Sequence, residues 1–117
     1  MTAVDQEEYV ERVLTVAEQI PVGRVTTYGA IADAVGVGGP RQVSRVMSTY
    51  GGSVPWWRVV RADGGLPLGN EDVARAHHLE EGTPFRPSGR VDLRAAMWVP
   101  DPTERPTEGS PDSVGGC

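Results

Sequence analysis

Cysteine is nearly absent from this chain: of 117 residues only the last, Cys117, carries a thiol, in a stretch of Pro, Gly and Ser that offers nothing to fold onto. One thiol excludes a disulfide framework and a cysteine-ligated metal site, and it fits a reducing compartment. Lysine is missing altogether, so the strongly basic side chains are all arginines, a bias whose first explanation is genomic base composition. Long apolar runs are also absent. Nothing approaches the roughly 18 consecutive apolar residues of a membrane span, and no basic start leads into an apolar run. The expectation is a soluble, unexported, cytoplasmic protein without a membrane partner. The length suits one compact domain, at the low end for burying a core without disulfides or metal.

The formal net charge of −5 argues at first against a nucleic-acid partner, because phosphate binding is driven by basic side chains that release counterions. Its distribution reverses that reading. Residues 1–20 carry Asp5, Glu7, Glu8, Glu11 and Glu18 against Arg12, and the chain after Trp98 carries Asp101, Glu104, Glu108 and Asp112 against Arg105. Residues 21–98 hold nine arginines against seven acids, a local balance of +2. The expected organisation is therefore a domain over 1–98, mildly basic in its middle, and a disordered acidic tail over 99–117, where Pro, Gly, Ser, Thr and acids replace apolar residues.

Along the domain, Tyr9, Val10, Val13, Leu14, Ala17 and Ile20 recur at helical spacing, which predicts an amphipathic helix over 5–20 stopped by Pro21 and Gly23. Val25, Thr26 and Thr27 make a short extended piece. Thr27 is placed to cap a helix over 28–35, with Ile31, Ala32 and Val35 on one face. After the turn at 36–39, Pro40 suits a first helical position and the helix continues over 41–48 with Val43, Val46 and Met47 inward. Two short helices about a glycine turn read as a helix-turn-helix. Gly51 and Gly52 break the second helix, and a bulky segment follows from Val54 to Val60. Asp63-Gly64 predicts a hairpin or strand pair over 58–68. A helix capped by Asn70 is expected over 71–81, ended by Gly82 and Pro84, and a last short element over 91–98. His77 and His78 point to different sides of the fourth helix, which argues against a metal site. No cofactor is expected.

From the residues alone, a helix-turn-helix followed by Gly-Gly and Pro-Trp-Trp-Arg makes a DNA-binding hypothesis, beside a small helical domain whose second helix merely packs. Three stretches sharpen it: IPVGRVTTYG at 20–29, RQVSRVM at 41–47 and PWWRVV at 55–60. In their order and spacing they resemble the C-terminal domain of O6-alkylguanine-DNA alkyltransferases, from the first helix to about Glu81 or Gly82. The resemblance implies a mainly α fold with a small β element, a winged-helix-like helix-turn-helix domain of the alkyltransferase C-terminal type.

In that family the third stretch reads Pro-Cys-His-Arg-Val, with the cysteine accepting the alkyl group and the histidine helping to form its thiolate. Here the two positions are Trp56 and Trp57. A tryptophan in place of the cysteine resembles the alkyltransferase-like subfamily, which retains the histidine, so Trp57 is a departure. Alkyl transfer needs a thiolate with a lowered pKa and a positioned base, and an indole supplies neither. Cys117 has no base fixed beside it. The expectation is therefore a non-enzyme with no catalytic residue.

The resemblance further implies nucleotide flipping from the minor groove, with Arg41 inserted in place of the extruded base and Tyr28 pressing on the 3′ phosphate. An arginine plane can stack on neighbouring bases and offset part of the unpairing. Thr26, Thr27, Ala34, Gln42 and Ser44 are candidates for backbone and groove contacts. Trp56, Trp57, Val59, Val60 and Gly65 are expected to line the lesion pocket, with the loop over 63–69 as lid and Arg58 holding the segment by bonding neighbouring carbonyls. Glu81 aligns with the family glutamate that orients the histidine. With Trp57 present, that relay cannot exist as in the enzyme, and Glu81 becomes a relic or a structural acceptor.

The leading expectation is a monomeric sensor, nucleoid-associated when bound, that marks O6-alkylguanine in double-stranded DNA for nucleotide excision repair proteins. Two alternatives stand beside it. One is a helix-turn-helix regulator of undamaged DNA, reading the major groove; the other is a residual methyltransferase.

Overall fold

In a computed structural model that describes residues 6–101, the apolar spacing of the first segment becomes α1 (Gln6–Glu18), which buries Tyr9, Val13, Val16 and Ala17 and turns its acids outward. The ends of the chain, with Cys117 and nearly all of the expected tail, lie outside the described residues. Strand β1 (Thr26–Thr27) leads directly into α2 (Tyr28–Val35), because the Thr27 hydroxyl accepts the Ala30 N–H at 3.0 Å and satisfies a donor that the helix itself leaves free. Gly36, at φ +89°, closes α2 with its N–H on the Ala32 carbonyl. Pro40 occupies the first position of α3 (Pro40–Tyr50), and the Gln42 side chain reaches back to accept the Gly39 N–H at 2.9 Å. The helix runs two residues beyond the expected end, into a 3₁₀ turn at Gly51–Ser53.

A second 3₁₀ turn, Trp56–Arg58, feeds β2 (Val59–Val60). Here the structure departs from the expected hairpin. β2 pairs in parallel with β1, Thr26 opposite Val59 and Thr27 opposite Val60, and the α2–α3 pair is the crossover that parallel pairing demands. The Asp63-Gly64 turn does form: the Gly64 N–H reaches the Arg61 carbonyl at 2.8 Å and the Gly65 N–H reaches Asp63 Oδ1 at 2.9 Å. It closes only a tight loop, with Arg61 N–H on the Gly65 carbonyl at 2.9 Å, because Leu66 then buries and Pro67 has no N–H to extend a ladder.

Since consecutive strand residues face opposite ways, β2 divides two apolar clusters. Val59 joins one with α1, α2 and α3; Val60 joins the other with Val25, Leu66, Ala74, Val91 and Ala96. Burying each valine fully stabilises the fold by about 1.5–3 kcal/mol. The second cluster is roofed by α4 (Glu71–Glu81) and by α5 (Leu93–Ala96), whose flanks bond Val25 on both sides: Val25 N–H to the Ala96 carbonyl at 3.0 Å, and Trp98 N–H to the Val25 carbonyl at 2.7 Å. Asn70 precedes α4 as expected, but its side chain makes no cap bond; its backbone carbonyl receives the Ala74 N–H instead.

Candidate nucleic-acid interface and base pocket

The start of α2, one face of α3, the Gly51-Gly52 break and the loop at 61–70 enclose an open cleft of about 810 Å³ with Trp56 on its wall. This volume falls within the roughly 300–1,000 Å³ of sites that take small organic groups. Its polar character is one-sided: the lining includes Arg41 and Arg61 and no carboxylate, in a chain of net charge −5. Arg41 is exposed on the first turn of α3, with Ser44 one turn on. Tyr28 is half-buried and also lines the cleft. Burial raises its hydroxyl above the ordinary pKa although the Arg61 charge works the other way, so it remains a neutral phenol near pH 7.

The 3₁₀ turn decides which of its three side chains reaches the cleft. At three residues per turn, successive side chains project about 120° apart. Trp56 takes the cleft wall and packs against both apolar clusters. Trp57 turns toward α4, stacked on His77 with ring centroids 3.8 Å apart and planes 10° from parallel. Arg58 points to the chain reversal: Nη1 donates to the Ile20 carbonyl at 2.9 Å, while Nε and Nη2 grip Glu81 Oε1 and Oε2 at 3.0 and 2.7 Å.

Glu81 is an acceptor hub. Besides the Arg58 fork it takes the Trp57 Nε1–H at 3.0 Å and the Gly23 N–H at 3.3 Å. Burial works to raise its carboxyl, but the hydrogen bonds and the Arg58 charge prevail and hold it below the usual carboxylate range. Next to this hub His78 is fully buried, Nε2 at 2.6 Å from the Trp57 carbonyl and Nδ1 at 2.9 Å from Thr83 Oγ1. Burial lowers its pKa, and a carbonyl only accepts, so the neutral ring carries its proton on Nε2 and receives the Thr83 hydroxyl on Nδ1.

The structure thus brings Thr27, Tyr28, Arg41, Ser44 and Trp56 to one cleft. It keeps the other expected residues away from it. Val59 and Val60 are wholly buried in the two clusters, because a strand covered on both faces has no side chain left for a pocket. Trp57 and Arg58 face α4 and Ile20, as the turn geometry requires. Thr26 is fully buried in β1, and Ala34 is buried on the inner face of α2. Gln42 is exposed but serves the α3 cap and borders a second, smaller groove beside Tyr9 and Arg45. Gly65 backs Arg61 from behind: a Cβ there would run into the guanidinium. Pro67 and Leu68 of the loop expected as a lid do line the cleft, whereas sequence reasoning missed Met47, which shares core and cleft, and Arg61 and Asn70 at the two ends of that loop. Arg61 directly follows the PWWRVV stretch, which was the available signal; Leu68 is 70% exposed at the rim.

Residues 8–82 match the family described as the 6-O-methylguanine DNA methyltransferase DNA-binding domain. A DNA base-flipping protein of Vibrio parahaemolyticus is 33% identical over 99 residues, spanning 80% of this chain and 99% of that protein. One from Escherichia coli is 35% identical over 98 residues, 80% of this chain and 76% of the relative. Among solved structures, S. pombe Atl1 bound to damaged DNA containing O6-carboxymethylguanine superposes with a TM-score of 0.71 at 30% identity, over 80% of this chain and 97% of Atl1. On the family match over residues 8–82, these identities and the shared fold, the chain belongs to the DNA-binding domains of the 6-O-methylguanine DNA methyltransferases, as an alkyltransferase-like protein.

Proposed function

We propose that this protein is a non-enzymatic sensor of O6-alkylated guanine in duplex DNA, which flips the altered nucleotide into the cleft beside Trp56. The observation that carries the reading is one juxtaposition: an exposed Arg41 at the head of α3 on the rim of a cavity whose wall is an indole. An arginine there fills the place of an extruded base by stacking, while Trp56 offers a flat apolar surface to the alkyl group. The names of the relatives, DNA base-flipping protein and Atl1 in complex with damaged DNA, support it.

Where the family enzyme has its acceptor thiol, Trp56 has no nucleophile, so the lesion is held and not repaired. Approach through the minor groove, binding as a monomer in the cytoplasm, and hand-over to nucleotide excision repair proteins belong to the same proposal. A competition titration on one duplex carrying guanine, O6-methylguanine or larger O6-alkylguanines tests it. Tighter binding of the alkylated duplexes with no methyl group moved to protein is expected; equal affinity for undamaged DNA would leave the regulator alternative, and label retained on the protein the enzymatic one.

A further inference from the structure

Arg61 is the second cation of the cleft; it feels the charge of Asp63 at a distance, but no carboxylate bonds it among the described residues. Its side chain forms no hydrogen bond or ion pair among the described residues, and its Nε is buried without a partner. Asp63, two residues on, bonds the Gly65 N–H at 2.9 Å and lies 3.7 Å from Arg90. The guanidinium is seated against Gly65, where any side chain would displace it. A buried, orphaned N–H on a charged group normally has a strong reason to exist, because leaving it unmade is destabilising.

Resting on the base-flipping reading, we infer that Arg61 selects among O6 adducts by charge, so that the cleft favours an adduct bearing a carboxylate over a neutral one of the same shape. The cleft presents two guanidiniums and no acid. A base held over Trp56 points its O6 substituent into that cavity, where water is partly excluded and a charge-assisted bond to a planar guanidinium is stronger than in bulk solvent. Arg61 supplies the matching fork, and the absent side chain at Gly65 leaves the space in which it sits. Arg41 differs in being exposed on the rim, free to leave the cleft for the base stack.

The test uses the full chain and duplexes carrying O6-carboxymethylguanine, O6-carboxamidomethylguanine or guanine. The amide is the neutral isostere of the acid. The wild type is expected to bind the acid about tenfold more tightly than the amide. Arg61→Gln should bring the two within about twofold, Arg61→Lys should keep part of the gap, and Gly65→Ala, which pushes the guanidinium aside, should narrow it. Equal wild-type affinity for acid and amide, both above guanine, overturns this inference while leaving the sensor reading intact. Arg61→Gln weakening all three duplexes by the same factor also overturns it, because that is a phosphate contact. Equal wild-type affinity for all three overturns both.

Discussion

The indole Nε1–H of Trp57 donates to Glu81 Oε2 at 3.0 Å, beside the fork that Arg58 makes to the same carboxylate. An indole N–H only donates and takes up no proton, so this bond relays none. Glu81 consequently works as structure, tying the turn at Trp57 and Arg58 to α4 and to Gly23.

Arg58 and Glu81 are each 12% exposed at the side chain, so removing one partner strands the other in a poorly solvated place. Glu81→Ala is expected to destabilise the fold by about 3–5 kcal/mol in urea unfolding. A loss under about 1 kcal/mol would show that solvent already screens the pair.

The lowered Glu81 pKa also sets a pH dependence. A carboxylate that titrates lower in the folded than in the unfolded chain contributes stability that is fully present above its unfolded value, about 4.3, and disappears as pH falls through the folded one. Stability measured from pH 7 to pH 3 should fall toward acid in the wild type and less steeply in Glu81→Gln. Parallel acid limbs would remove Glu81 from the linkage.

His78 works in the same direction by another route. Its lowered pKa means the unfolded chain takes up the proton first, so its contribution is intact above about 6.5 and declines as pH drops below that value. Nitrogen NMR at pH 7 should find a neutral ring protonated at Nε2; an Nδ1–H tautomer would contradict the assigned Trp57 and Thr83 partners.

For recognition, Arg41→Ala is expected to weaken lesion binding by roughly 1–3 kcal/mol while leaving thermal stability unchanged, since the side chain is exposed. Unchanged affinity would remove Arg41 from the mechanism. Trp56→Ala should instead reorder the preference among alkyl sizes. The same loss on undamaged DNA would assign Trp56 to packing alone.

Two glycines separate backbone strain from steric collision. Gly64 and Gly69 have φ of +86° and +91°, but a Cβ on Gly64 would lie 2.6 Å from the Val91 carbonyl oxygen, whereas one on Gly69 meets nothing within 4 Å. Gly69→Ala should lower stability by about 1–2 kcal/mol, the left-handed penalty alone, and Gly64→Ala by clearly more. Equal melting shifts would mean that the loop relaxes around the added methyl.

The order of the helices was legible in the sequence because each carries its own local evidence. Thr27 and Pro40 mark starts, Gly36, Gly51 and Gly82 mark ends, and apolar residues three and four apart mark the inner faces. So were Tyr28, Arg41 and Trp56, which stand in motifs with specific spacing. What only the tertiary structure decided is who shares a space. Val59 and Val60 face core and not cleft because β2 found its partner 33 residues back, in parallel, where a nearby Asp-Gly turn had pointed to a hairpin. Trp57 left the pocket because a 3₁₀ turn separates neighbours by a third of a circle. Arg61 entered it because the loop after β2 turns back beside α2 and leaves room for the guanidinium against Gly65. Local propensity acts over a few residues, whereas the wall of a cleft is assembled from segments distant in the chain, whose meeting is set by long-range burial.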